Sequence, residues 1–256
     1  MIEIIKKRAI FIILIIALWE TAARSGIFPP LLFPSTAIIG KTFIDGVMRG
    51  ELINNAGFSI YLIIAGLVLT LLLTIALSTL AMLSRTFDNF LDTAVAVMNP
   101  LPGIALLPLA ILWFGTGQMS IIFIIVHATL WPMILNTVTG FKTVPPIYRE
   151  VGENIGLSGS GLVLSIMVPA AFPYLLAGLK IGWSRAWRAL IAAEMVFGTA
   201  GVNGGLGWYI YKQRYLMDIS GVFAALMVIV IIGILIEDLL FGIIERRTIK
   251  RWGMSA

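Results

Sequence analysis

The sequence predicts an all-α protein that crosses a membrane six times. Three observations carry that prediction. The 256-residue chain is 59% hydrophobic and only 12% charged, with a mean hydropathy of +1.01; an ordinary soluble domain carries about 25% charged residues. The apolar residues gather into six stretches, at about 9–24, 57–83, 91–114, 119–141, 166–198 and 219–244, each near the roughly 20 residues a spanning helix needs. The basic residues are unevenly shared between the connections. Open strands would leave backbone polar groups unsatisfied in lipid, so helices are expected throughout. The length suits one membrane domain, 1–256, with no separate soluble one.

The first stretch lies within MIEIIKKRAIFIILIIALWE, whose basic start and apolar run also suit a secretory signal. Trp19 and Glu20 close the run and no clear small-x-small cleavage site follows, so it reads as a retained first span. The prolines of FPPLLFPSTA then disfavour helix. Ser35 and Thr36 are placed to cap a short amphipathic helix with Ile38, Ile39, Phe43 and Ile44 on its apolar side. That helix reads as interfacial rather than as a seventh span.

The third stretch contains Asn99, Pro100, Pro102, Gly103 and Pro108, which must break or kink a helix. Broken helices at membrane depth are tolerated where they line a cavity. Met98 to Leu107 is therefore either a pore-lining or gate segment or a packing kink. After the fourth stretch, Pro145 and Pro146 stop the helix. Ile147 to Ile155 offers one short helix with Ile147, Val151 and Ile155 on one face. Gly156 permits a left-handed C-cap, and Ser158 or Ser160 starts the next helix. This connection, about 142–165, is either a plain connector over the lipid headgroups or a helix presented to another protein.

The fifth stretch, PYLLAGLKIGWSRAWRALIAAEMVFG, puts Lys180, Arg185, Arg188 and Glu194 at membrane depth. A basic side chain at a helix centre costs about 2.5–3.5 kcal/mol on insertion scales, so such residues face a cavity or a partner. Helical spacing sets Arg185 and Arg188 on one face, with Lys180 displaced toward it and Trp183 and Trp187 flanking. One reading is a lining that attracts an anion. A second is pairing of the arginines with Glu194, Asp92 or Glu237, and a third is snorkelling of Lys180 to the interface.

Orientation follows from the basic residues. With the amino terminus inside, ten of them (Lys6, Lys7, Arg8, Arg85, Lys142, Arg149, Arg246, Arg247, Lys250 and Arg251) are cytoplasmic and five (Arg24, Lys41, Arg49, Lys212 and Arg214) are outside. Both termini are then cytoplasmic, which needs an even number of spans. The net charge of +5 marks loops and does not point to nucleic acid. There are no cysteines, and His127 is the only histidine, so no metal site is expected and His127 reads as a helix-packing residue. GTAGVNGGLG, 198–207, lacks the Gly-Lys-Ser/Thr ending of a nucleotide loop and reads as an outer loop partly re-entering the bundle.

The connection gains meaning from its spacing. Glu150 is followed six residues later by Gly156, ten later by Ile166 and three later by Pro169. This resembles the signature loop of ABC-importer permeases: Glu-Ala-Ala, three residues, Gly, nine residues, Ile-x-x-Pro. The alanines are replaced by Val151 and Gly152. LFPSTAIIGKTF, PLPGIALLPLAILWFG, GLSG at 156–159, AW at 186–187, AAE at 192–194 and GLGWYI at 205–210 extend the likeness to the nitrate/sulfonate/taurine subgroup, from about Leu31 to Arg247.

The resemblance implies a type I ABC-importer (MetI-like) permease. Its coupling helix would dock on a cytoplasmic ATPase through Arg149, Glu150, Val151, Gly152, Asn154, Gly156, Leu157 and Ser158. Met98, Asn99, Pro100, Pro102, Lys180, Trp183, Arg185, Trp187, Arg188 and Glu194 would belong to the translocation path. The implied partners are two copies of an ATPase that binds ATP and Mg, a second permease copy, an external solute-binding protein and the bilayer of a bacterial or archaeal cytoplasmic membrane. The chain itself would bind no cofactor. The contrasting classes are a polytopic membrane enzyme, for which no nucleophile–base constellation is evident, and an ion-coupled carrier.

Overall fold

The computed structural model describes residues 2–198 and 204–253, with side chains from Ile10 onward. Among the described residues there is helix and no strand. In order the helices are α1 (Ile2–Arg24), α2 (Thr36–Met48), α3 (Glu51–Leu83), α4 (Arg85–Met98), α5 (Leu107–Phe114) and α6 (Gln118–Lys142), then α7 (Pro146–Asn154), α8 (Gly159–Leu162), α9 (Val168–Phe197), α10 (Leu206–Tyr215), α11 (Ile219–Ile234) and α12 (Gly242–Arg247). A short 3₁₀ turn, Gly103–Leu106, precedes α5, and π-helical stretches join α8 to α9 and α11 to α12.

Four described helices are long and apolar enough to cross a membrane: Glu51–Leu83, Gln118–Lys142, Gly159–Phe197 and Ile219–Arg247. A fifth crossing results if Arg85–Met98 and Gly103–Phe114, which meet at 90°, form one broken span. The bend falls on the proline cluster, as the sequence predicts. Pro100 and Pro102 donate no backbone N–H, and the chain turns before Gly103 restarts a helix. The first expected span lies inside α1, whose described side chains from Ile10 to Ile16 are exposed apolar residues.

The chain falls into two compact units: Met1–Ser59 with Glu194–Ile232, and Ile60–Ala193 with Gly233–Ala256. In the first, Ser35 caps α2 by accepting from the Ile38 amide, as expected. The buried face of α2 matches the expected one in half of its residues. Ile39 and Gly46 are buried and Phe43 and Val47 pack on the core of Leu52, Tyr209, Ile210, Ala224 and Ala225, while Ile38 and Ile44 are exposed. Spacing alone cannot discriminate here, because lipid accepts isoleucine as readily as a core does.

In the second unit, α4 and α6 bury Leu91, Val95, Leu130, Ile134 and Val138 with Ala81. Thr70 and Thr129 hydrogen-bond at 2.8 Å between α3 and α6. These contacts fix α6 beside the broken segment.

Candidate functional site

A cavity of about 540 Å³ opens in the second unit. Its lining comes from the unwound segment Asn99–Ile104, from His127 and Ala128 on α6, and from Arg185, Arg188, Ala189 and Ala192 on α9. The alanines keep that face of α9 low, and the two arginines rise from it one turn apart, as the helical spacing predicts. Arg185 Nη1 donates to Asn99 Oδ1 at 2.8 Å, which ties α9 to the broken segment. Arg188 Nε turns back onto the Ser184 carbonyl at 3.1 Å, and no bond from its terminal nitrogens is found among the described residues. Among the described residues no carboxylate lines the cavity. Two guanidinium groups facing one space have the charge and the fork of donors that can hold an oxyanion.

Of the residues expected along the path, Asn99, Pro100, Pro102, Arg185 and Arg188 meet in this lining; Met98, Lys180, Trp183, Trp187 and Glu194 do not. Trp183 and Trp187 are buried and stacked on each other, with centroids 5.8 Å apart. Lys180 donates to Glu245 Oε2 at 2.7 Å. The acid–base pairing foreseen for the arginines therefore falls to the lysine instead.

Glu194 belongs to the first unit and is 1% exposed. Ser59 Oγ lies 2.8 and 2.9 Å from its two oxygens, and the Gly207 amide donates to Oε2 at 2.9 Å. Ser59 Oγ in turn accepts from the Leu206 amide at 2.9 Å. The carboxylate thus caps the positive end of α10, where unpaired amides and the helix dipole favour an anion. Gly205 makes the approach possible, since a Cβ there would collide with the Glu194 carboxylate. Residues 199–203 of the expected re-entrant loop lie outside the described residues. The far end of this loop is held by the Glu194 carboxylate through the Gly207 amide.

The connection around α7 is built as its residues direct. Pro145 and Pro146 open the helix, with Pro146 at a position whose N–H would be unpaired in any case. At the other end Gly156 has φ 83°. The Leu157 amide reaches the Gly152 carbonyl at 2.9 Å and the Gly156 amide reaches that of Glu153 at 3.0 Å, the double closure of a Schellman cap. Ile147, Val151 and Ile155 are exposed, as are Arg149, Glu150, Asn154 and Ser158, while Leu157 is half-buried. Arg149 Nε donates to Glu153 at 2.8 Å, and this carboxylate raises the guanidinium pKa above its ordinary value. Gly152 alone is buried; a Cβ on it would collide with Leu162. Its departure from alanine is thus a packing feature: Leu162 occupies the space an alanine methyl would take.

Apolar helices, a cation-lined cavity and an exposed apolar stripe on a short helix outside the spans define a polytopic membrane transport subunit. The chain belongs to the family described as "Binding-protein-dependent transport system inner membrane component", which it matches over residues 74–250. It is a permease subunit of an ABC importer and not an enzyme; ATP hydrolysis resides in a separate subunit, and a substrate-binding protein is the other implied partner. Its similarity to an ABC transporter permease protein of Methanocaldococcus jannaschii is 32% identity, covering 88% of this chain and 84% of the relative. An aliphatic sulfonates transport permease protein of Bacillus subtilis is 28% identical, over 92% and 84% of the two chains. A nitrate import permease protein of Synechocystis is 35% identical, over 64% and 58%.

Proposed function

We propose that this permease carries a small anion of the nitrate or sulfonate kind through the cavity between the unwound segment and α9. The observation that carries the reading is the pair Arg185 and Arg188 on a lining without a carboxylate. The names of the sulfonate and nitrate relatives support the same substrate class. The path uses Asn99, Pro100 and Pro102 on one wall and the two arginines on the other. An external solute-binding protein delivers the anion.

In this reading α1, α3, the bent pair α4–α5, α6, α8–α9 and α11–α12 are six spans. Both termini are cytoplasmic, in keeping with the ten-to-five division of basic residues. That orientation sets α7 inside. Its exposed stripe of Ile147, Val151 and Ile155, bordered by Arg149, Glu150 and Asn154, suits docking in a groove of the ATPase, with the Gly156–Ser158 turn closing the contact. One chain supplies half a pathway, so two copies assemble with two ATPases, and ATP and Mg act there.

The test is uptake of labelled nitrate and ethanesulfonate by proteoliposomes holding the permease, its ATPase and its binding protein. Arg188→Gln is expected to lower uptake by about tenfold or more, the effect of losing a charge-assisted contact, while the ATPase still co-purifies. Normal transport kinetics in Arg188→Gln would remove the arginine from the path.

A further inference from the structure

His127 occupies an unusual position. It is the only histidine in the chain, is 8% exposed, and lines the same cavity as Arg185 and Arg188. Neither ring nitrogen has a hydrogen-bond partner among the described residues. Trp131 stands edge-on to it at 6.1 Å, on the next turn of α6.

Packing does not account for this. An imidazole always carries at least one N–H, and a buried donor left unpaired is expensive. A phenylalanine would fill the same volume between α6 and the cavity without that penalty. Polar side chains held inside a membrane are retained for partners or for function, and here the protein supplies no partner. The cavity that the ring lines is where a partner can reach it. The two arginines make that space attractive to an oxyanion, whose oxygens accept hydrogen bonds.

We propose that His127 is a substrate-contacting residue, its ring N–H turning into the cavity to hydrogen-bond an oxyanion seated against Arg185 and Arg188. This rests on the anion path proposed above and adds a third, uncharged contact to it. The arginines attract any anion. A neutral donor at a fixed angle favours one with an oxygen at the matching place, so His127 determines specificity where the arginines determine charge. Chloride, with no oxygen geometry to match, gains little from it.

The experiment measures binding of sodium nitrate and sodium ethanesulfonate to the purified permease–ATPase complex by titration calorimetry. Sodium chloride at equal ionic strength is the control, and each variant's melting temperature is recorded without anion. His127→Phe is expected to weaken the tighter oxyanion by about tenfold or more, with a melting temperature equal to or above that of the parent. His127→Gln, which keeps an N–H donor, is expected to recover most of the loss.

Unchanged binding in His127→Phe overturns the proposal. So does a lowered melting temperature in both variants alike, which would make the ring a structural part. Arg188→Gln in the same assay separates the two readings. If it weakens binding while His127→Phe does not, the anion path stands and the histidine contact falls. If neither variant changes binding, or the parent binds neither salt, both fall.

Discussion

The helix α9 carries charge in two ways within a short distance. Arg185 and Arg188 face a cavity with donors left over. Glu194 is sealed from solvent, and the Ser59 hydroxyl and the Gly207 amide satisfy it. Both sites place a charge at membrane depth, where an unmet polar group is costly. They differ in where the compensation comes from. At Glu194 the fold supplies it, so the carboxylate is part of the scaffold. At the arginines the fold supplies one amide oxygen and one carbonyl, and in the proposed path a visiting anion supplies the rest.

The largest way to break this comparison is Glu194→Ala. It strips the Gly207 amide and the Ser59 hydroxyl of their acceptor and leaves the start of α10 uncapped in an apolar setting. Hydrogen bonds to a charged group are worth about 1.5–3 kcal/mol each, and they act here as one network. The expected outcome is a loss of about 3 kcal/mol or more, seen as a steep fall in melting temperature and in yield of the assembled complex. Glu194→Gln retains a carbonyl acceptor and is expected to lose much less. A Glu194→Ala protein that melts normally but fails in uptake would place this carboxylate with the arginines, among groups serving the substrate.

How much of this was legible in the sequence follows the same division. The broken third span was readable because prolines act locally: Pro100 and Pro102 fall at the break, and Pro108 opens α5 in its first turn. The α7 turn was readable for the same reason, its stop, cap and stripe all falling between Pro145 and Ser158. The Glu194 network was not, because Ser59 stands 135 residues away and nothing in the spacing joins them. A partial signal existed. An acid in an apolar run, followed by a glycine cluster and a short helix, fits a carboxylate docked on a helix start. His127 was only partly legible, for a different reason. A lone histidine without cysteine or histidine company argues against a metal, and packing was the default that remained. The stronger argument was that a span seldom keeps a polar ring without a use for it. The face of α2 was half right, since nothing local distinguishes an isoleucine against protein from one against lipid.

A second, smaller test sharpens the contrast at the α7 end. Gly152→Ala gains up to about 1 kcal/mol of helix propensity. It also drives a methyl into Leu162 and lies tight against Ile166, at 3.3 Å; overpacking costs about 1–3 kcal/mol. The overlap wins, so the single change is expected to lower the melting temperature modestly and reduce co-purified ATPase. Gly152→Ala with Leu162→Val relieves the overlap and should restore both. A single change that is neutral or stabilising would show that Leu162 moves aside freely and that α7 is not held in place by this contact.

The smallest effect is expected at Lys180, the basic residue on α9 that resembles neither case. Its ammonium bonds Glu245 at 2.7 Å, but both side chains are about one-third exposed, and exposed pairs are worth only about 0–1 kcal/mol. A second lysine, Lys250, stands 3.8 Å from the same carboxylate and softens the loss of the first. Lys180→Met keeps the apolar stem that packs along α9 and removes only the charge. Uptake by the assembled transporter is expected to stay within about twofold of the parent, a change below about 0.5 kcal/mol, with little change in melting temperature. A fall as large as that predicted for Arg188→Gln would mean that the anion passes Lys180 on its way to the cytoplasm. The cation-lined surface of α9 would then extend beyond the cavity, and the pairing with Glu245 would be a state the transporter leaves during each cycle.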